Sequence, residues 1–477
     1  MVEGDPTAES ATAKARVERG SFRDRTGRVF YSEGAVLRGL NEQAAQEWRA
    51  LSETSFFSPL VTAGKIVRTE QVPPAELVGV REAESWKAVL RHEPVPFVSY
   101  PYEWPFGMLR DAALLQLELV LAALDEGMIL KDSSPFNVQW RGTHPVFIDI
   151  PSFVRLRPGE PWVGYRQFCQ LFLNPLLLRA YRNIPFQPWL RGSIDGIDPQ
   201  HCKNLLAVSD RLRPGVLTHV VLHAYVQAGV DRTRDVKQDL RAAGFRPALI
   251  RANVKRLRKL IAGLSWKERD SIWVDYAERN TYAEAERAAK AAFVRQAAAD
   301  GPRRLVWDVG CNTGVYTRLA AEKANYVVAM DADEAAVERF YHELKSTGTR
   351  SILPLVMNLA DPSPALGWRG EERMALAQRG RPDLTLCLAL MHHMVIGANV
   401  PLDEFVDWLA GLGGELVIEF VDKRDPMVQV LLRNKEDIYD DYEIGNFERC
   451  LTARLEIIRR QTLQSGTRTL YHARPRS

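Results

Sequence analysis

At 477 residues, against about 150 residues per domain and up to about 250 for α/β units, the chain holds two domains or three rather than one small module. Lys and Arg number 63 and Asp and Glu 60, a formal charge of +3 that excludes the strong positive field of a non-specific nucleic-acid binder and leaves room only for a local basic patch. Hydrophobic residues at 46% and charged residues at 26% exclude disorder of the bulk and allow large buried cores.

The first dozen residues read as a frayed tail. They begin MVEGDPTAES, acidic and small, and no run approaches the ~18 apolar residues of a membrane span. The expectation is a soluble cytoplasmic protein with no membrane partner. Cys169, Cys202, Cys311, Cys387 and Cys450 are far apart and show no C-x-x-C spacing, so neither a disulfide framework nor a metal site is expected.

Next, RTGRVFYSEGAVLRGL places short β-branched and aromatic runs around Gly27 and Gly34, which reads as a hairpin. Near residue 107 the period changes. Met108, Ala112, Leu115, Leu119 and Ala122 recur at steps of four and three, predicting a long helix over Gly107 to Glu126 stopped by Gly127.

Leu130-Lys131-Asp132-Ser-Ser-Pro-Phe-Asn137 follows, then an apolar turn and strand, then Phe147-Ile148-Asp149. In this arrangement one carboxylate positions a hydroxyl while Asn and Asp hold metal on phosphates. With a β-rich stretch, a hinge-like Tyr100-Pro-Tyr-Glu-Trp104 and a long helix before it, the region resembles the protein-kinase and aminoglycoside-phosphotransferase catalytic loop, over residues 20 to 260. It departs from that pattern in Leu130 and Lys131, where kinases carry His and Arg, and in having no G-x-G-x-x-G. Lys65 is the lysine put forward for phosphate. Otherwise Asp132 and Asn137 cap turns, with Pro135 and Pro145 setting the loop. A third reading is a retired kinase-like domain that binds or presents an acceptor. ATP hydrolysis is not expected.

Helical stretches between Trp162 and Leu264 and a basic run from Asn253 to Lys259 lead to a junction at Gly263 to Trp266. The division is residues 1 to 265, α+β, and residues 270 to 477, α/β. After a helix over Thr281 to Ala299, apolar runs start at Arg304, Tyr326, Ile352, Asp383 and Glu415, separated by helix-compatible segments. These predict a doubly wound parallel sheet. Two closing strands around Ser465 and Gly466 predict an antiparallel hairpin at one edge.

The first of these strands runs into Asp308-Val-Gly310-Cys-Asn312-Thr-Gly314, and the second ends in Asp331. Two glycines let the chain turn sharply and let a ligand approach the backbone, and the acid is placed for the two hydroxyls of a ribose. The spacing D-x-G-x-x-x-G differs from that of ordinary dinucleotide sites. Here the chain resembles the class I S-adenosylmethionine-dependent methyltransferases over roughly residues 270 to 477. That resemblance implies a Rossmann-like sheet binding S-adenosyl-L-methionine, with Asp308, Gly310 and Gly314 along the methionine part, Asp331 on the ribose, and Asn312 of the same loop among the cofactor-binding residues. Asn358 stands at the third strand end, where many such enzymes carry an acid beside the adenine. An amide there offers both a donor and an acceptor to the adenine edge.

The fourth strand ends in Met391-His392-His393-Met394. One imidazole there could take a proton from the attacking group, since its ordinary pKa lies near working pH; the alternative is that the pair only shapes the pocket. The Asn/Asp-Pro-Pro-aromatic run typical of amide and exocyclic-nitrogen methylation is absent. The expected activity is therefore O- or C-methylation of a small-molecule metabolite, with the N-terminal half binding or presenting the acceptor. The alternatives are a non-catalytic scaffold that binds the cofactor and a bifunctional protein with phosphotransfer in its N-terminal half. Glu419 either faces the acceptor or satisfies a buried donor. The stretch Glu436 to Tyr442 is either a lid or a solvated helix end. As a whole the chain is similar to bacterial nodulation-related and ribosomal-protein methyltransferases.

Overall fold

The computed structural model describes residues 16–32, 34–77, 85–229, 246–266, 284–433 and 435–476. The expected N-terminal tail and the 270 boundary lie outside them. In the N-terminal half, β1 (Arg16–Val17), β2 (Gly27–Ser32), β3 (Ala35–Leu40), β4 (Thr69–Val72) and β5 (Ala88–His92) form an antiparallel sheet in the order β1-β2-β3-β5-β4. The predicted hairpin is β2 and β3, paired from Gly27 and Leu40 to Ser32 and Ala35. Gly34, at φ +80°, makes its turn. Helix α1 (Glu42–Ser52) starts at Asn41, whose side chain accepts the Ala44 N–H, and buries Ala44, Ala45, Trp48 and Leu51.

Helix α2 (Phe106–Asp125) is the predicted long helix, and Gly127 at φ +70° ends it. The spacing suggested one apolar stripe, yet 14 of its 20 residues are buried. A helix apolar on all sides belongs inside a core. Here it lies between α3 (Pro247–Ala262) and the helix Glu334–Ser346 of the C-terminal half. After it, β6 (Met128–Leu130) pairs with β9 (Phe153–Arg155), and β7 (Val138–Arg141) with β8 (His144–Phe147).

The C-terminal half is a seven-stranded sheet in the order β12-β11-β10-β13-β14-β16-β15. Strands β10 (Arg303–Val309), β11 (Ala324–Asp331), β12 (Ile352–Val356), β13 (Leu384–Cys387) and β14 (Glu415–Val421) are parallel. The closing hairpin is β15 (Leu455–Thr462) and β16 (Arg468–Pro475), and the later strand pairs with β14 while β15 takes the edge. Alternate residues of each strand face opposite sides. Val306, Val327, Ala329, Leu386 and Val417 meet helices α4 (Glu284–Ala299), α5 (Val315–Ala321) and α6 (Glu334–Ser346). Trp307, Val309, Val328, Met330 and Leu355 share one core with α7 (Leu402–Gly411), α8 (Ile444–Arg454) and the N-terminal half.

One expectation is corrected. Residues 357–383, between β12 and β13, form no α-helix but only two short 3₁₀ turns, Trp368–Gly370 and Leu376–Gln378. The face that a crossover helix would cover is covered by the N-terminal half. Phe97 meets Trp307 edge-on at 6.1 Å, Gly107 N–H donates to Glu338 at 2.8 Å, and Gly142 N–H donates to the Tyr326 hydroxyl at 3.0 Å. Arg379 donates to both carboxylate oxygens of Glu103, at 2.7 and 2.6 Å, where the two side chains are 0% and 1% exposed.

Candidate active site

The glycine loop leaves β10 at the carboxyl edge of the sheet. Gly310 and Gly314 sit at φ +81° and +76°, a region open to glycine at little cost. A Cβ on Gly314 would stand 2.0 Å from the Phe340 ring, so no other residue fits there. Asn312 is also left-handed, at φ +49°, and its side-chain oxygen accepts the Thr313 N–H at 2.7 Å. The loop is drawn onto β11 by two bonds to the Met330 carbonyl, from Gly310 N–H at 2.8 Å and Cys311 N–H at 3.0 Å.

Asp331 braces this loop. Its two oxygens accept the N–H groups of Asn312 at 2.8 Å and Asp333 at 2.9 Å. Burial raises its pKa and those backbone bonds lower it, with burial the larger effect. Each carboxylate oxygen has a second lone pair, so the acid can still accept ribose hydroxyls. Asp308 sits beneath the loop at 2% exposure and accepts the Thr317 hydroxyl at 2.5 Å. Burial pushes its pKa up to about 7 despite that bond. Asn358 lies at the exit of β12, exposed, with its side-chain oxygen accepting the Ala360 N–H at 3.0 Å.

The histidine pair follows β13, behind Ala389 at φ +52°. The two rings lie 4.2 Å apart. His392 is 0% exposed and neither ring nitrogen has a protein partner, whereas His393 is only half-buried. Burial and then nearby charge lower both pKa values. For His393, with Arg468 as the charge, the value falls to about 4; for His392, next to His393, Arg468 and Lys290, it falls well below the usual range. The premise that an imidazole titrates here near working pH is therefore corrected. Both rings are neutral and weakly basic.

Behind them stands a buried ionic cluster not anticipated from the sequence. Lys290, on α4, donates to Glu419 at 2.5 Å, and Arg468, on β16, reaches Glu419 at 3.4 Å and Asp425 at 2.8 Å. Glu419 is 0% exposed, so of its two readings the one that satisfies buried donors holds. The stretch Glu436 to Tyr442 is pinned over the carboxyl ends of β13 and β14. Tyr439 donates to the Ile396 carbonyl at 3.1 Å, Tyr442 to the Val421 carbonyl at 2.8 Å, and Lys423 pairs with Asp437 at 2.8 Å.

In the N-terminal half the three singled-out polar residues do come together. Asp149 takes an ion pair from Arg38 at 2.7 Å and lies 3.5 Å from the Asn137 amide nitrogen. Burial, then the nearby Asp149, raises the pKa of Asp132. Lys65 instead pairs with Glu118, and Arg38 on β3, which sequence reasoning did not select, meets the acid. A cavity of about 700 Å³ beside Asp132 is lined by Lys131, Arg166, Gln170, Asp198 and His201. Beside Asn137, part of the helix-free crossover is laid down: the Arg373 guanidinium stacks over Phe136 at 5.4 Å, and Met374 N–H donates to the Tyr100 hydroxyl at 2.7 Å. Among the described residues no group of three or more His, Cys, Asp and Glu is placed to hold a metal ion, and no helix is long and apolar enough to cross a membrane.

No family model matches the chain. It is 34% identical over 457 residues to the nodulation protein NoeA of Rhizobium meliloti (strain 1021), covering 95% of this chain and 94% of that protein. Among solved structures it is similar to the N-methyltransferase NodS from Bradyrhizobium japonicum WM9, at 13% identity and a TM-score of 0.31 over 41% of this chain and 98% of that one. It is also similar to the magnesium protoporphyrin IX methyltransferase ChlM from Synechocystis PCC 6803, at 18% identity and a TM-score of 0.27 over 43% of this chain and 92% of that one.

Proposed function

The chain belongs to the family of the nodulation protein NoeA, and within that family we propose that it is an S-adenosylmethionine-dependent methyltransferase acting on an oxygen or carbon of a small-molecule metabolite, its N-terminal half binding or presenting the acceptor. The observation that carries this reading is the glycine loop tied to Asp331. Gly314 leaves no room for a Cβ, and the acid that would take the ribose already orders the loop through the Asn312 N–H. The residues present therefore fit the cofactor: the backbone at 310–314 for the methionine part, Asp331 for the ribose and Asn358 for the adenine edge.

When bound, the cofactor supplies an electrophilic methyl group on a sulfonium. The chain's own work is alignment and exclusion of water. The pinned stretch from Glu436 to Tyr442 closes the carboxyl edge over β13 and β14. We assign His393, the less buried ring, to meet an acceptor, with the buried His392 beside it. With its pKa at about 4, His393 can hydrogen-bond a nucleophile and receive a proton in passing, but it does not hold one at neutral pH.

We read the N-terminal half as kinase-like in fold, supported by the meeting of Asp132, Asn137 and Asp149 below a five-stranded antiparallel sheet. An arginine pairs with Asp149 and the crossover lies against Phe136, and both count against live phosphotransfer there.

Calorimetric titration of the full chain with S-adenosylhomocysteine tests the cofactor reading. Asp331→Ala removes two charge-assisted hydrogen bonds to the ribose, each worth about 1.5–3 kcal/mol, so binding should weaken by about a hundredfold or more. Unchanged affinity in that variant would remove the ribose assignment.

A further inference from the structure

The loop that carries Asn358 is held from outside its own sheet. Locally it is a tight turn, closed by the Asp361 N–H on the Asn358 carbonyl at 3.0 Å. Arg191, in the helical turn Gln187–Gly192 of the N-terminal half, then grips that turn. Its guanidinium donates to both carboxylate oxygens of Asp361 at 2.9 Å, to the Asp361 carbonyl at 3.2 Å and to the Pro362 carbonyl at 3.3 Å. A planar fork on a carboxylate fixes orientation as well as distance. The turn bearing Arg191 is itself anchored, since the Gln187 amide donates to the Trp104 carbonyl at 3.1 Å and Leu190 is 1% exposed. Beyond Pro362 the crossover has no α-helix, and its anchors there, Glu371 on Arg19, Glu372 on Arg23, Met374 on Tyr100 and Arg379 on Glu103, again tie it to the N-terminal half.

We infer that Arg191 is a positioning residue for the cofactor: it sets the turn from which Asn358 meets the adenine edge, so that the N-terminal half completes a site whose other walls come from the C-terminal sheet. This rests on the cofactor reading proposed above. The Asn358 side-chain oxygen is engaged by the Ala360 N–H, which leaves the amide's N–H donors as the end available to a ligand. Adenine offers that donor an unprotonated ring nitrogen. Hypoxanthine carries a proton on the corresponding nitrogen and opposes it.

The experiment is calorimetric titration of the full chain with S-adenosylhomocysteine and, separately, with S-inosylhomocysteine. The parent protein should prefer the adenine ligand. Arg191→Ala should weaken S-adenosylhomocysteine by about five- to tenfold and shrink the preference over the inosine ligand, while Arg191→Lys recovers part of both. Asp361→Ala, at a side chain 70% exposed and therefore tolerant of change, should reproduce the effect without a loss of folding. Equal weakening of both ligands with the preference kept would reduce Arg191 to a structural role and overturn the inference, as would unchanged affinity. A parent protein that binds neither ligand would overturn the cofactor reading and this inference with it.

Discussion

The buried ion pair between the two halves gives the sharpest test of how they depend on each other. Glu103 accepts both guanidinium nitrogens of Arg379, at 2.7 and 2.6 Å, and the Tyr100 N–H at 2.9 Å; Arg379 also donates to the Val98 carbonyl at 3.0 Å. Glu103→Ala leaves a guanidinium at 0% exposure with one carbonyl partner and orphans a buried N–H. Removing one partner of such a pair costs about 3–5 kcal/mol, because the remaining charge cannot be solvated. Replacing both by apolar residues, Glu103→Leu with Arg379→Met, should recover most of that loss, since the penalty lies in the uncompensated charge and not in the absence of the pair. Urea denaturation followed by tryptophan fluorescence measures it, with Trp104 and Trp307 lying in the shared core on the two sides of the contact. A loss under about 1 kcal/mol for Glu103→Ala would mean that water reaches the pair, and the account of the N-terminal half as a sealed covering layer would fail.

Two further outcomes follow from the same geometry. Residues 267–477 produced alone should aggregate, because Trp307, Val309, Val328, Met330 and Leu355 lose the partners that bury them; a soluble monomer with a cooperative melt would refute this. In the folded protein His393 should stay neutral down to pH 5.5, as read by ring nitrogen shifts. Its folded pKa of about 4 lies below the unfolded 6.5, so its contribution to stability is full above pH 6.5 and falls away as pH drops toward 4. A His393 signal that titrates near 6.5 would contradict the burial and the nearby Arg468 charge assigned to it.

What could be read in the sequence was what lies close together along the chain. The glycine loop, the strand pattern and Asp331 are local signals, and the sheet reproduces them. The cluster behind the histidines was not legible, because Lys290 and Glu419 are 129 residues apart and Lys290 sits in a helix rich in Ala and Glu where a lysine ordinarily faces water. The missing crossover helix did leave a trace. Pro362, Pro364, Gly367, Gly370, Gly380 and Pro382 punctuate residues 357–383 too often for a helix, and giving them weight would have exposed the bare face of the sheet. Likewise, the all-round burial of α2 is encoded by the apolar residues between the stripe positions, such as Leu109, Ala113, Leu117 and Val120.

The bare face also bears on why the N-terminal half carries residues that read as catalytic. Asp149 is held by Arg38 and Asn137, and burial, then the nearby Asp149, raises the pKa of Asp132; in sequence these are the residue types that serve phosphate chemistry in kinases. Yet the part of the crossover next to that site is the same chain that leaves Asn358 and closes on Glu103. If the segment moved aside to admit a nucleotide beside Phe136, it would surrender the Tyr100 and Phe136 contacts and pull on the turn that Arg191 holds. Under the cofactor reading proposed above, opening the N-terminal site and keeping the turn of Asn358 ordered are opposed demands on one stretch of about 27 residues. In the structure the crossover keeps its contacts with Tyr100, Phe136 and Arg191. Of the polar trio only Asp132 lines the cavity beside it, with Lys131, Arg166, Gln170, Asp198 and His201, while Asn137 and Asp149 face each other across the loop outside that lining; under the function proposed above, this cavity is where an acceptor would be received without disturbing the crossover.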